Sequence, residues 1–188
     1  LDACAAPGGK STHMAQYLTS GHITALDLYD HKLDLINQNA ERQHVADKIT
    51  TQKADATMIF EEFGSDKFDR ILVDAPCSGI GLIRRKPDIR YRKESSDFVD
   101  LQKIQLEILN SASKSLKKSG IMVYSTCTIF DEENFDVVRQ FLESHPNFEQ
   151  VEISSDKADM IKEGCIFITP EMYHTDGFFI AKFKKIGE

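Results

Sequence analysis

The chain has 188 residues, of which 41% are hydrophobic and 28% charged, a composition typical of one globular domain. Its formal net charge is -7, so its overall charge does not favour binding to nucleic acid. Any such binding would need a local basic patch. The sequence has no run of about eighteen apolar residues and no signal-peptide pattern, which indicates neither a membrane span nor export. We therefore expect a cytoplasmic monomer.

Short apolar runs alternate with longer amphipathic stretches, which is typical of an α/β fold with a mostly parallel sheet. The first run, Leu1–Ala3, resembles the end of a strand, so we interpret residues 1–188 as a single domain cut from a longer chain whose upstream region is absent. Further strands are predicted at His22–Asp27, Ile49–Lys53, Asp69–Asp74, Ile121–Ser125, Phe148–Ile153 and Gly177–Phe183. Helices are predicted at Ser11–Thr19, His31–His44, Asp100–Lys118 and Glu132–Ser144. The stretch from Ala75 to Ser96 fits neither pattern, and such long connections are usually functional.

A small-residue segment, Cys4-Ala5-Ala6-Pro7-Gly8-Gly9-Lys10, follows the first strand. Its end resembles a phosphate-binding P-loop, but Cys4 stands where that motif requires glycine. The segment also lacks the G-x-G-x-x-G pattern of dinucleotide-binding folds. We interpret it as a turn that lets a ligand approach the backbone at a helix N-terminus; an ordinary strand-to-helix turn is the alternative.

Three aspartates, Asp27, Asp55 and Asp74, each follow or end a predicted strand. Ligands of doubly wound sheets bind outside the carboxyl ends of the strands, so we expect these carboxylates to face one crevice with the glycine turn. S-adenosylmethionine suits such a crevice, because its hydroxyls, amino group and sulfonium charge favour hydrogen-bond acceptors and anions. Taken alone, each aspartate is more often a turn or cap residue.

Two cysteines also follow predicted strands, Cys77 in the run Asp-Ala-Pro-Cys-Ser-Gly and Cys127 in Ser-Thr-Cys-Thr. Two thiols facing one cofactor crevice suit methylation of cytosine at carbon 5, in which a thiolate adds to carbon 6 and so activates carbon 5. The residues alone do not decide which thiol is the nucleophile. No Cys-x-x-Cys pair is present, which argues against a metal site and structural disulfides. Cys165 lies in an apolar run and is predicted to be a core residue.

A basic segment follows Cys77 within the long connection, with six basic residues and one tyrosine between positions 84 and 93. Its position suits contacts to the phosphates around a base that has left its stack. A solvated charged surface is the alternative. The predicted RNA-binding residues are Arg84, Arg85, Lys86, Arg90, Arg92 and Lys93.

Five runs, C-A-A-P-G-G-K, V-D-A-P-C-S-G, R-R-K-P-D-I-R, Y-S-T-C-T and T-D-G-F-F-I-A-K, occur in this order and together resemble the RNA cytosine-5 methyltransferases of the Sun/Fmu (RsmB-like) family. The resemblance covers essentially the whole chain. It implies a Rossmann-like fold that depends on S-adenosylmethionine, with a seven-stranded, mostly parallel sheet whose last strand is antiparallel between the fifth and sixth.

The same resemblance implies roles for particular residues. Cys127 is then the nucleophile, Cys77 promotes product release, and the segment from Cys4 to Lys10 lines the cofactor site with the three aspartates. Asp74 is also expected to act in catalysis by stabilising N3 of the base. Of the adjacent pair Phe178 and Phe179, one is expected to line the base pocket while the other fills the core, although both could be core residues.

The implied reaction transfers a methyl group from S-adenosylmethionine to carbon 5 of a cytosine in 16S ribosomal RNA through a covalent adduct between cysteine and carbon 6. The expected partner is ribosomal RNA, with no metal and no membrane. One alternative is a tRNA cytosine-5 methyltransferase, because neither cysteine motif identifies the RNA. Another is a catalytically silent RNA-binding or assembly module, against which the presence of both cysteines argues.

Overall fold

The computed structural model describes residues 1–91 and 95–187 and has the predicted α/β architecture. The helices are α1 (Gly9–Tyr17), α2 (Asp30–Arg42), α3 (Ile59–Phe63), α4 (Ser95–Ser115) and α5 (Phe135–Ser144). The strands are β1 (Ile23–Asp27), β2 (Ile49–Lys53), β3 (Phe68–Asp74), β4 (Leu116–Thr126), β5 (Phe148–Gln150), β6 (Ile161–Lys162), β7 (Cys165–Ile168) and β8 (Phe178–Lys185).

The first half of the sheet is parallel. Strand β1 pairs with β2, and β3 pairs with β4, both in parallel. Asp2 joins these two pairs through parallel bridges to Ala25 of β1 and Leu72 of β3. The strand predicted at Leu1–Ala3 is therefore present as a pair of single bridges at the centre of the sheet.

The last strand, β8, runs antiparallel to β4 on one side and to β5 on the other. This confirms the expected insertion of the last strand between the fifth and sixth predicted strands. A short hairpin of β6 and β7, which was not predicted as strands, pairs with the first half of β8. Cys165 begins β7 and is buried, as expected for a core residue.

Apolar residues cover both faces of the sheet, because helices pack on each side. Neighbouring residues of β1 show this alternation: Ala25 packs in a cluster with residues of α1 and α2, whereas Leu26 packs in a larger cluster with residues of α4 and α5. Two buried faces fix the register of each strand, since a slip by one residue would exchange the two sets of side chains. The carboxyl ends of the parallel strands are therefore held at one edge.

Several helix boundaries differ from the predicted ones, most of all for α4, which begins at Ser95 rather than at Asp100. The amphipathic pattern continued the third predicted helix to Lys118, but α4 ends at Ser115 and β4 begins at Leu116. Leu116 fits both patterns: it continues the apolar face of the helix, yet it is fully buried opposite Phe68 of β3. The predicted connection from Ala75 to Ser96 is described over residues 75–91, which are largely turns and short 3-10 helices, and over residues 95–96, where α4 begins.

Within the described ranges 1–91 and 95–187, no helix is long and apolar enough to cross a membrane. The same residues contain no group of three or more His, Cys, Asp or Glu side chains that could hold a metal ion.

Candidate active site

The two predicted thiols lie next to each other at the ends of neighbouring strands. Asp74 at the end of β3 pairs in register with Ser125 near the end of β4, so the loops that follow leave the sheet side by side. The Sγ atoms of Cys77 and Cys127 are 3.3 Å apart, and the backbone N–H of Cys127 also donates to Cys77 Sγ at 3.4 Å. The structure thus brings together two residues fifty positions apart in the sequence.

The hydrogen bond between the two thiols shifts their pKa values in opposite directions. A hydrogen bond from Cys77 lowers the pKa of Cys127, although burial and the charge of Asp74 act in the opposite direction. The same hydrogen bond, followed by burial, raises the pKa of Cys77 far above its usual range. The directions of these two pKa shifts favour a thiolate on Cys127 and a neutral, donating thiol on Cys77, although the Cys127 N–H acts against this by lowering the pKa of Cys77. A thiolate is the reactive form of cysteine.

The glycine turn forms the wall of a cleft beside the thiols. Gly8 has a φ of 97°, in the left-handed region, and a Cβ at this position would lie 3.0 Å from the Cα of Ile36. The Pro7 carbonyl accepts a hydrogen bond of 2.6 Å from Asn39 Nδ2, which ties the turn to α2. The cleft has a volume of about 190 Å³ and is lined by Asp2, Cys4, Ala5, Ala6, Pro7, Gly9, Lys10 and Asp74.

Asp74 connects this cleft with the thiol pair. One carboxylate oxygen accepts from Lys10 Nζ at 2.7 Å and the other from Ser125 Oγ at 2.6 Å. The Lys10 ammonium also lies 5.2 Å from the centre of the Phe178 ring. With 29% of its side chain exposed, Asp74 is fixed in orientation yet remains accessible to a ligand.

Asp2 also lines the cleft and was missed by the sequence analysis. Its side chain is 1% exposed, and Oδ2 accepts from Ser11 Oγ at 2.5 Å, while Oδ1 has no hydrogen-bond partner among the described residues. Burial raises the pKa of Asp2 to about 6. The signal available in the sequence was the position of Asp2 inside the first strand, directly before the small-residue segment.

The other two predicted aspartates do not line this cleft. Asp27, at the end of β1, accepts from the backbone N–H of Tyr29 at 3.2 Å and lies 3.6 Å from Lys32 Nζ. Asp55 accepts from both the N–H and the hydroxyl of Thr57, so it acts as a cap of the turn that follows β2. Their cofactor contacts stay predictions.

Cys4 differs from the two paired cysteines. Burial raises its pKa to about 12, and the charges of Asp2, Asp74 and Asp27 add to this effect. The thiol of Cys4 is therefore neutral near pH 7, which suits a residue that shapes the cleft by packing rather than by reacting.

Beneath the thiols lies a buried polar network centred on Glu133, another residue that the sequence analysis missed. The carboxylate accepts from the backbone N–H of Ser78 at 2.8 Å and from its hydroxyl at 2.5 Å. Gln105 Nε2 of α4 donates to the same carboxylate at 3.2 Å. No sequence signal singled out Glu133, because an Asp-Glu-Glu run is usually a solvated surface.

The predicted RNA-binding segment lies against the connection between β7 and β8. Arg85 forms an ion pair with Asp176, and Arg84 donates to the Thr175 carbonyl at 3.4 Å. Lys86 is exposed, and the backbone of Arg90 lies in a 3-10 helix. Arg92 and Lys93 lie outside the described residues. This geometry does not test whether these residues bind RNA, so their RNA-binding roles stay predictions.

Close backbone contacts join this segment to the thiol loop. Gly81 N–H donates to the Cys127 carbonyl at 3.0 Å, and Gly177 N–H donates to the Gly81 carbonyl at 2.8 Å. A Cβ on Gly81 would lie 2.7 Å from the Cys127 carbonyl oxygen, so a side chain at this position has no room. Beyond Gly177, Phe179 is fully buried, whereas Phe178 is half-buried at the cleft.

A family model described as 16S rRNA methyltransferase RsmB/F matches residues 1–184. The chain belongs to this family. It is 45% identical to a probable ribosomal RNA small subunit methyltransferase B of Bacillus subtilis, a match that covers the whole chain and 43% of that relative. The chain thus spans less than half the length of this relative.

Solved structures agree with this family assignment. A crystal structure of PH0851 matches with a TM-score of 0.92 and 34% identity, over 98% of this chain and 42% of that one. A crystal structure of NSun6 from Pyrococcus horikoshii with SFG matches with a TM-score of 0.86 and 32% identity, over the whole chain and 47% of that one. The fold of this RsmB/F family member is the Rossmann-like methyltransferase fold.

Proposed function

We propose that the protein containing this chain binds S-adenosylmethionine and methylates small-subunit ribosomal RNA. The family assignment supports this proposal, as does the matching NSun6 structure, which holds SFG, an analogue of S-adenosylmethionine. The residues of the cleft also fit the cofactor, because Asp2 and Asp74 offer carboxylate oxygens to a cationic, hydroxyl-rich ligand. Glycine and alanine residues allow such a ligand to approach the backbone closely.

We further propose that the methylated atom is carbon 5 of a cytosine. The single observation that carries this proposal is the 3.3 Å separation of Cys77 and Cys127 Sγ beside the cleft. S-adenosylmethionine supplies an electrophilic methyl group when it is bound. Carbon 5 of cytosine is too weak a nucleophile to take that group, so the base needs prior activation by addition of a thiolate.

Each residue of the pair then has a separate task. Cys127, whose pKa is lowered, forms a bond from its sulfur to carbon 6, and electron density shifts to carbon 5. We assign to Asp74 the task of orienting the base edge, and its hydrogen bonds with Lys10 and Ser125 support this role by fixing the carboxylate. In the final elimination a base from solvent takes the carbon 5 proton, the double bond between carbons 5 and 6 forms again, and Cys127 leaves as a thiolate. The neutral thiol of Cys77 stabilises that leaving thiolate through its hydrogen bond.

The experiment that tests this proposal compares the full-length protein with its Cys127→Ala and Cys77→Ala variants on unmodified 16S ribosomal RNA and labelled S-adenosylmethionine. We expect Cys127→Ala to abolish both methyl transfer and the covalent protein–RNA adduct, because it lacks the nucleophile. Cys77→Ala should accumulate the adduct, because release is slowed. Cys165→Ala, in the core hairpin away from the site, is the control and should retain both signals.

Three results would contradict parts of the proposal. Full activity of Cys127→Ala would exclude the covalent mechanism with this nucleophile. Label in tRNA but not in ribosomal RNA would move the substrate to the alternative RNA class. Label at an atom other than carbon 5, located by nucleoside mass spectrometry, would leave methyl transfer but exclude the proposed chemistry.

A further inference from the structure

We propose that Glu133 is a positioning residue that locks the Cys77 loop against the Cys127 loop and thereby sets which thiol is the nucleophile. The inference rests on the proposed function, because it concerns the same thiol pair. It starts from a carboxylate that the mechanism above does not use and that is completely buried, with 0% of its surface exposed. A buried charge is costly unless hydrogen bonds satisfy it, so its surroundings indicate what it does.

Both carboxylate oxygens of Glu133 accept hydrogen bonds from Ser78, the residue that follows Cys77. Oε1 accepts the Ser78 N–H at 2.8 Å, and Oε2 accepts the Ser78 hydroxyl proton at 2.5 Å. The Ser78 oxygen lies 2.9 Å from Oγ1 of Thr128, which follows Cys127. Because Ser78 gives its one hydroxyl proton to the carboxylate, Thr128 donates to Ser78. One carboxylate therefore links the residues next to both cysteines.

Glu133 is held by core residues at both its backbone carbonyl and its carboxylate. The Tyr124 hydroxyl of β4 donates to the Glu133 carbonyl at 2.6 Å. Gln105 of α4 uses one amide nitrogen to reach both Glu133 Oε1 at 3.2 Å and the Pro76 carbonyl at 2.9 Å. A helix and a central strand thus fix the position of the clamp. Rigid supports of this kind are needed to keep two reacting groups within a fraction of an ångström.

The next residue, Asn134, holds the other loop directly. Its side-chain amide donates to the Thr128 carbonyl at 3.1 Å, and its oxygen accepts from the Thr126 hydroxyl at 2.5 Å. Cys127 therefore lies between two residues that are both hydrogen-bonded to Asn134. Glu133 on the Cys77 side and Asn134 on the Cys127 side complete one connected network around the thiols.

Charge adds a second effect to the geometry. The hydrogen bond to Cys127 is the main cause that raises the pKa of Cys77, and the negative charge of Glu133 contributes in the same direction. A carboxylate beneath the Cys77 loop therefore favours the neutral form of this thiol. The proton stays on Cys77, where it stabilises a thiolate on Cys127.

The test compares Glu133→Gln with Glu132→Gln in the full-length protein, without RNA or cofactor. Glu132 is the adjacent, exposed glutamate and serves as a matched control. The rate at which iodoacetamide alkylates Cys127 is measured against pH, and the modified residue is identified by peptide mass spectrometry. We expect the midpoint of Glu133→Gln to move up by about one pH unit, which lowers the thiolate fraction about tenfold below the midpoint. Glu132→Gln should follow the wild type.

A second measurement reports distance rather than ionisation. Diamide oxidises two neighbouring thiols to one disulfide: the S–S bond forms, two protons and two electrons leave the sulfurs, and the azo bond is reduced to a hydrazine. We expect the bond between Cys77 and Cys127 to form several-fold more slowly in Glu133→Gln, because the loops are no longer locked. The Glu132→Gln variant should again match the wild type.

An alkylation profile and an oxidation rate that are both unchanged in Glu133→Gln would overturn the inference. A merely structural role would lower the melting temperature without moving the pH profile of the folded protein. If Glu133→Gln does not fold, Ser78→Ala tests the same link, because it removes the hydroxyl between Glu133 and Thr128 while the backbone N–H remains. Neither measurement involves RNA, so failure of methyl transfer would count against the proposed function alone.

Discussion

Single residues at this site differ mainly in how their charge is compensated. Asp74 receives hydrogen bonds on both oxygens and keeps partial exposure. Asp2 is buried, with one oxygen paired to Ser11 and the other unpaired among the described residues. An incompletely paired buried carboxylate favours the protonated form, and its raised pKa follows from that cost. Binding of a proton or a cation at Asp2 is therefore expected to stabilise the folded protein, because it removes the cost of the buried charge.

Asp2 should make the stability of the protein depend on pH. Burial raises its pKa from 3.8 to about 6, so its contribution is fully present below about pH 4 and is lost as the pH rises through 6. We expect Asp2→Asn to be close to the wild type in stability near pH 4 and more stable by about 2–3 kcal/mol near pH 7, because the amide has no charge to bury. Urea unfolding of both proteins across this range measures the difference.

The matched control for this prediction is Asp47→Asn, at an exposed aspartate. Its stability relative to the wild type should change little between the same two pH values. A constant difference between Asp2→Asn and the wild type across the range would show that Asp2 is ionised equally in the folded and unfolded states.

At the residue scale, the sequence could predict which side chains lie together where the signal was position along a strand, whereas their catalytic roles stay predictions. Asp74, Cys77 and Cys127 follow strands that an apolar run identifies, and parallel strands necessarily bring their carboxyl ends together. Glu133 could not be found in this way, because its burial depends on a contact with Ser78 fifty-five positions away. The ion pair of Arg85 with Asp176 is a second tertiary contact of this kind, because a run of basic residues does not reveal it.

At the scale of secondary structure, the turn before α1 depends on glycine at one position and not at the next. Gly8 has a positive φ and lies against Ile36, whereas a Cβ on Gly9 would have nothing within 4 Å. The two adjacent glycines therefore differ in whether the backbone conformation and the space around them require glycine. Gly8 is required by the path of the chain, and Gly9 leaves open space at the cleft.

We expect Gly8→Ala to lower the free energy of unfolding by about 1–3 kcal/mol, because it adds strain in the left-handed region and a close contact with α2. Gly9→Ala should be neutral or slightly stabilising, since alanine is the better helix former. Thermal unfolding of the two variants measures the contrast. Equal melting temperatures would mean that the turn relaxes freely and is not fixed by α2.

Element boundaries were harder to predict than element types. The predicted strands occur, yet the end of α4 was placed too late because Leu116 suits the apolar face of a helix as well as a buried strand. The hairpin of β6 and β7 was missed, since its strands have only two and four residues and depend on pairing with β8. Periodicity carries too little information over such short lengths to compete with tertiary pairing.

For the molecule as a whole, β8 connects parts of the chain that are far apart in sequence. At its end, the Lys185 ammonium is buried and donates to the Leu116 carbonyl at 2.7 Å, with Asp66 at 3.4 Å. Leu116 begins β4, directly after α4. This one contact therefore fixes the end of β8 to the point where the long helix turns into the central strand.

We expect Lys185→Ala to destabilise the protein by about 1–3 kcal/mol, because it removes the buried hydrogen bond from the ammonium to the Leu116 carbonyl. The control is Lys184→Ala, which loses only a surface pair with Glu149 at 3.9 Å and should change stability by less than about 0.5 kcal/mol. Chemical denaturation distinguishes the two. A Lys184→Ala variant as unstable as Lys185→Ala would show that charge, and not the buried hydrogen bond, matters here.

The antiparallel insertion of β8 also has a consequence for synthesis on the ribosome. Strand β4 carries the loop of Cys127, but one of its two edges is covered only by β8, which is made about fifty residues later. Until those residues emerge, β4 presents a row of unpaired backbone groups, a state in which strands readily join other chains. A product that ends before residue 178 would therefore expose this unpaired edge of β4, the strand that leads into the loop of Cys127.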